Sequence, residues 1–242
     1  MNEVIKQMLD RKSIRAYQDK AISQEDKDLI FDAAFNAPTA GDQQLYTILD
    51  ITDQEIKDKL AVSCDNQPFI AKGKMVLVFV ADPLKWYRAY QYSGLDPRDL
   101  DVGDFMISAC DCLIAAQNAV CAAESLGIGS CYIGDIMENY EYHKELFKLP
   151  DHVFPICMAV FGYPEESQKN RIKPPRAAKK YLVYENTYHQ ADEDELKELL
   201  STYSKERDYE EWLEAFCKRK YNSDFSREMS RSLWSFFNDF KK

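Results

Sequence analysis

The run from Phe105 to Ala123 is the longest apolar stretch of the chain, and it leaves few ways to fold. Residues 104–126 read as one helix closed by Gly127, which suits the left-handed turn after a helix end. Asp111, Gln117 and Asn118 lie inside the run. An aspartate at bilayer depth is costly, so the helix reads as buried and not membrane-spanning. It is apolar nearly all round, and water cannot meet any full face of it. Such a helix is either the centre of a large domain or shares one face with another subunit. Both are expected here, because one domain of 242 residues rarely covers so long a helix completely.

The rest of the chain is consistent with that centre. With 45% apolar residues it can bury a substantial core. A formal charge of −10, from 41 acids and 31 cations, argues against a general nucleic-acid binder. The first 25 residues alternate charged and apolar positions, unlike a secretory signal. Seven cysteines, an odd number without a CxxC pair, read as small buried hydrophobes of a cytosolic protein. The three histidines lie far apart, and no metal site is expected.

Strands are expected at 45–51, 74–82, 129–136 and 154–164, the second being the continuous apolar run of a strand covered on both faces. Val4, Ile5, Met8 and Leu9 have helical spacing. Ser23 caps a second helix that Pro38 stops, and a short helix follows at 54–62. Helices are also expected from Asp192 and at 208–220 and 226–240, the last two with an apolar face of Trp212, Phe216, Leu233, Trp234, Phe237 and Phe240. The pattern suits an α+β fold with a mixed sheet.

Positive charge is concentrated in two places on this acidic background. Arg11, Lys12 and Arg15 flank Ser13 in "RKSIRAY", and Lys169, Arg171, Lys173, Arg176, Lys179 and Lys180 cluster later. Arginine forks match phosphate oxygens and serine adds a donor, so a bound phosphate is one reading; solvated surface runs are the other. No GxxxxGK[ST] occurs, and "GIGSCYIG" lacks dinucleotide-fold spacing. A phosphate would be held by side chains, which suits a mononucleotide. "PTAGDQQ" (38–44) and "DNQ" (65–67) could read the edge of a heteroaromatic ring, or be ordinary turns.

Taken together, "RKSIRAY", "NAPTAGDQQ", "NQPFI", "AAESLGIGSCYIGDI", "VFGYP" and "KPPR" before "YLVYENTY" resemble, in order and spacing, the FMN-dependent nitroreductase superfamily, in particular its larger NADPH-type flavin reductases. The resemblance implies a central mixed or antiparallel sheet flanked by helices, an FMN-binding domain over 1–190, and a helical extension over 191–242 packing on the same dimer. It implies FMN as cofactor, NADPH or NADH as donor, and a cytoplasmic homodimer acting on a small-molecule acceptor, with no nucleic acid, membrane or metal. Arg11, Lys12, Ser13 and Arg15 match the flavin motif, Arg11 at the phosphate and Arg15 near the pyrimidine edge. Gln67 matches an amide contact to that edge. Thr39, Ala40, Gly41 and Gln43 match a loop that reaches the partner subunit's cofactor. Tyr132, Ile133 and Gly134 match the segment beside flavin N5, and Lys173 and Arg176 a second phosphate clamp. Asp42 stands where many relatives carry asparagine, and an acid there would lower the flavin potential unless it points away or is paired. No side chain is expected to do acid–base chemistry. The expected reaction is ping-pong reduction of nitroaromatics, quinones or flavins; a flavin store or partner-reduced flavoprotein is the alternative.

Overall fold

A computed structural model describes residues 1–240. It divides into two compact units, one of Met1–Arg171 with the C-terminal segment from Glu228, the other of Ile172–Arg227.

In chain order the first unit contains α1 (Glu3–Asp10), α2 (Gln24–Phe35), β1 (Tyr46–Asp50), α3 (Gln54–Ser63), β2 (Met75–Ala81), α4 (Leu84–Tyr92), α5 (Val102–Ser125), β3 (Gly129–Ile133), α6 (Tyr140–Phe147), β4 (Phe154–Gly162) and the short α7 (Glu166–Lys169). The second contains α8 (Glu193–Ser204), α9 (Tyr209–Lys220) and the start of α10 (Asp224–Phe240), whose remainder belongs to the first. The boundary expected at 190/191 thus falls inside the second unit. Caps set several of the ends. Ser23 Oγ accepts from Asp26 N at 3.0 Å, as expected from sequence. Asp101 and Asp104 form a capping box that starts α5 at Val102, two residues ahead of the expected start. Three helices that the sequence did not signal, α4, α6 and the short α7, complete the set.

The sheet has the order β1-β2-β4-β3, with every neighbouring pair antiparallel. Among the described residues its one parallel feature is an isolated bridge, Ser13 to Ser130, beside β3. β2 and β4, the inner strands, are buried along their whole length. Alternation along β2 separates two cores: Met75, Leu77, Phe79 and Ala81 face the side of α2 and α5, while Val76, Val78 and Val80 face Leu60, Ile70 and Leu84. The β2–β4 register slips after Phe79, next to Pro155, which has no N–H to give the ladder. Phe236 of α10 closes the first core, fully buried against Phe105, Tyr140 and Phe154. Trp234, expected on that face, is 69% exposed.

α5 is long and apolar enough to cross a membrane, yet it lies against the sheet and α2 with Asp111 buried. Its other side leaves Met106, Ile107, Leu113 and Ile114 substantially exposed, and α1 does the same with Val4, Ile5, Met8 and Leu9.

Candidate active site

Two glycines make room for the basic motif. Gly129 and Gly162 are register partners where β3 and β4 meet. A Cβ on Gly129 would come within 2.5 Å of the Ile14 side chain, and one on Gly162 within 2.7 Å of the Tyr17 ring. The RKSIRAY segment therefore lies directly across the strand pair. Ile14 N donates to Ser130 O at 2.9 Å, and the Tyr17 hydroxyl donates to Ile14 O and Val160 O at 2.8 and 3.1 Å. Burial drives the Tyr17 hydroxyl far above its ordinary range, so it stays protonated and serves as a structural donor. Ile14 and Tyr17 are packing residues, and the side chains between them are aimed by that packing.

The cations are used in different ways. Lys12 Nζ donates to the carbonyls of Lys169 and Arg171 at 2.5 and 2.7 Å, and the Arg171 guanidinium donates back to Ser13 O. Carbonyl oxygens placed between cations offset their repulsion, and here they fasten the motif to the segment after β4. Lys169 is paired with Glu166. Arg11 differs: its Nη1 is buried and has no hydrogen-bond partner. The residue lines a cavity of about 260 Å³ between α1 and α5, with Val4, Met8, Gln117 and Cys121. A buried guanidinium N–H without an acceptor is costly, and an anionic ligand oxygen would satisfy it.

Arg15 lies over the Phe69 ring at 5.9 Å, which brings the turn after α3 to the motif. Burial raises the Cys131 thiol in β3, and Arg15, Ser13 and Arg11 oppose that rise, placing all three beside the strand. Tyr132 bonds Gln117 of α5 through its hydroxyl at 3.3 Å, and Ile133 is buried. β3 ends there because Gly134 turns into the helical region, starting a 3-10 turn at Asp135–Met137 where a longer strand was expected. A Cβ on Gly134 would meet only the Met137 methyl, at 3.9 Å, so one side of this exposed backbone is open. Gln67 joins the same group by donating Nε2 to Asp135 at 2.7 Å and to Cys64 O at 2.9 Å.

The loop with Thr39, Ala40, Gly41 and Gln43 forms a separate group on α5. Buried Asp111 accepts from Thr39 Oγ1 at 2.6 Å, Ala40 N at 3.0 Å and Leu45 N at 3.2 Å. Gly41, Asp42 and Gln44 all have positive φ, and Asp42 is exposed. Trp86 of α4 donates to Gln43 O at 2.7 Å, so α4 holds the outer side of the loop. Among the described residues no hydrogen bond links this loop to Arg11, Gln67 or Gly134. Lys173 and Arg176 belong to the second unit, where the Arg176 guanidinium donates to the carbonyls of Pro174 and Pro175 at 3.3 and 3.2 Å.

Three contributors escaped the sequence reading. Asp111 carried a signal, an acid within an apolar helix, but read only as evidence against a membrane span. Phe69 and Asp135 carried none, since their roles arise from contacts across the fold.

An antiparallel sheet between helices, with a basic motif along its β3 edge and a buried Arg11 Nη1 without a partner, defines the α+β class of this chain and its candidate anion site. The model of the Nitroreductase family matches residues 8–163, and the chain belongs to that family. It is 34% identical over 207 residues to the FMN reductase (NADPH) of Bacillus subtilis, covering 85% of this chain and 82% of that one. Among solved structures it is similar to the NfrA1 nitroreductase of B. subtilis (30% identity, TM-score 0.79, 94% of this chain and 98% of that one). It is also similar to the NADPH:FMN oxidoreductase of Vibrio harveyi complexed with NAD+ (25% identity, TM-score 0.77, 99% and 98%).

Proposed function

We propose that this chain is an FMN-dependent NAD(P)H oxidoreductase that works as a cytoplasmic homodimer and reduces nitroaromatics, quinones or free flavin in a ping-pong scheme. The observation that carries the reading is the buried Arg11 Nη1 without a partner, on the one motif that two glycines admit to the β3 edge. FMN fits the residues gathered there. Arg11 and Ser13 supply donors for its phosphate, with Lys12 holding their backbone in place. Arg15 supplies positive charge at the pyrimidine edge, Gln67 an amide, and the open side of Gly134 lets the ring approach backbone. When bound, FMN supplies two-electron chemistry at N5, with hydride arriving from the nicotinamide and leaving to the acceptor in alternation.

The protein's own task is orientation and exclusion of water. In this reading the exposed apolar faces of α5 and α1 supply the dimer interface, and the Thr39–Gln43 loop, which Asp111 holds, completes the partner's site. Seven free cysteines suit a reducing compartment.

Titration of the apoprotein with FMN, followed by quenching of flavin fluorescence, tests the site. Arg11→Ala weakens binding roughly 10- to 100-fold, the worth of a charge-assisted hydrogen bond to phosphate. It costs little folding stability, because Nη1 bonds nothing in the protein. Unchanged FMN affinity in Arg11→Ala removes the phosphate assignment.

A further inference from the structure

Gln67 is held in an unusual way for a residue that faces a ligand. It follows Asp65 and Asn66, both in the left-handed region, and its own N–H donates to Ala61 O at 2.7 Å. Both acceptors of its Nε2 group, Asp135 Oδ2 and Cys64 O, are acceptor-only. Turning the amide over would place Oε1 against a carboxylate and a carbonyl, three acceptors with no proton between them. The nitrogen therefore has to face inward. Among the described residues Oε1 carries no hydrogen bond, and it is the end left for a ligand.

Asp135 is placed by the strand end. It opens the 3-10 turn after Gly134, with Met137 N bonded to Gly134 O at 3.0 Å and Glu138 N to Asp135 O at 3.1 Å. The backbone beside the open face of Gly134 thus also fixes the carboxylate that fixes the amide. An unrestrained carboxamide could present either a donor or an acceptor to a heterocycle. This one presents an acceptor only.

We propose that Asp135 is a positioning residue that locks Gln67 with its carbonyl oxygen toward the ligand, so that the site selects a ring carrying an N–H donor at that edge. The inference rests on the flavin reading, in which that donor is the imide N3–H of the isoalloxazine. The competing role for Asp135 is a plain staple between the turn after α3 and the end of β3, with no say in what the amide presents.

The test uses the full-length apoprotein, FMN and N3-methyl-FMN, with binding read by fluorescence quenching. Wild type is expected to prefer FMN by roughly tenfold or more, since the methyl analogue loses the donor and meets Oε1 with carbon. In Asp135→Ala that preference collapses toward unity. Asp135→Glu, which keeps an acceptor-only carboxylate, retains more of it than Asp135→Asn, whose amide can also donate to a turned Gln67 Oε1. Equal affinity of wild type for both flavins overturns the inference while leaving the flavin reading intact, and needs no variant that has to fold. An Asp135→Ala protein that binds both flavins more weakly by the same factor overturns it too, and identifies a staple. A wild type that binds neither flavin overturns the flavin reading itself, and this inference with it.

Discussion

Asp111 and Glu138 are both carboxylates almost out of reach of solvent, at 3% and 5% exposure, and their surroundings differ. Asp111 accepts three hydrogen bonds and turns a loop with three left-handed residues into a fixed object. Glu138 has an Oε1 with no partner. Burial pushes its carboxyl from 4.5 up to about 7, and the nearby charges of Asp135, Asp65 and Glu228 add to the rise. Between those two values the folded chain holds a proton that the unfolded chain releases. The stabilisation is full below about 4.5 and is lost as pH rises through about 7. Glu138→Gln is expected to flatten that part of the profile and to be more stable than wild type at pH 8, by roughly 1–3 kcal/mol. Urea unfolding of both proteins at pH 5 and pH 8 checks this, and a difference that does not change with pH contradicts it. Arg11 stood out as a candidate at this scale because charge concentrated in an acidic chain is conspicuous, and its Nη1 is buried without a partner. Glu138 did not, because two of the charges that add to its rise, Asp65 and Glu228, are distant in sequence.

Among the elements, α5 carries the strongest signal and also the clearest division of labour. One side packs Phe105, Cys112, Ala115, Ala116 and Ala119 into the core, while Met106, Ile107, Leu113 and Ile114 face outward. This apolar surface, continued by α1, is the face that the proposed dimer would bury. Leu113→Glu combined with Ile107→Glu is expected to convert a dimer to a folded monomer and to lower FMN affinity, because the Thr39–Gln43 loop no longer reaches its partner. Light scattering coupled to size exclusion reads the mass directly, and an unchanged dimer would show that the interface lies elsewhere. Helices with clear caps, such as α2 and α8, had starts that were readable to within a residue. α4 and α6 were not: aromatic and charged residues alternate in "LKWYRAYQY" and "YEYHKELF" without a clear stripe. On α10, Trp234 is the larger apolar residue, but Phe236 has the angular position that meets Phe105 and Phe154.

At the scale of the molecule, an acidic chain brings Lys12 and Arg171 together beside one edge of its sheet. The α+β class was readable from the buried strands and the long apolar helix, but the division into units was not. The last helix starts in the second unit and returns Phe236, Glu228 and Arg231 to the first, where Arg231 bonds both Glu141 and Glu228. Such pairings over some ninety positions leave no local mark in a sequence. In the proposed reaction this chain orients two rings and the cofactor carries the electrons. An anaerobic visible spectrum of the FMN-loaded protein, before and after adding NADPH and then NADH, tests that picture most directly. The account predicts flavin bands that collapse on addition of at least one nicotinamide and return when a quinone or nitroaromatic is added. Flavin that binds yet stays oxidised with both donors would contradict it.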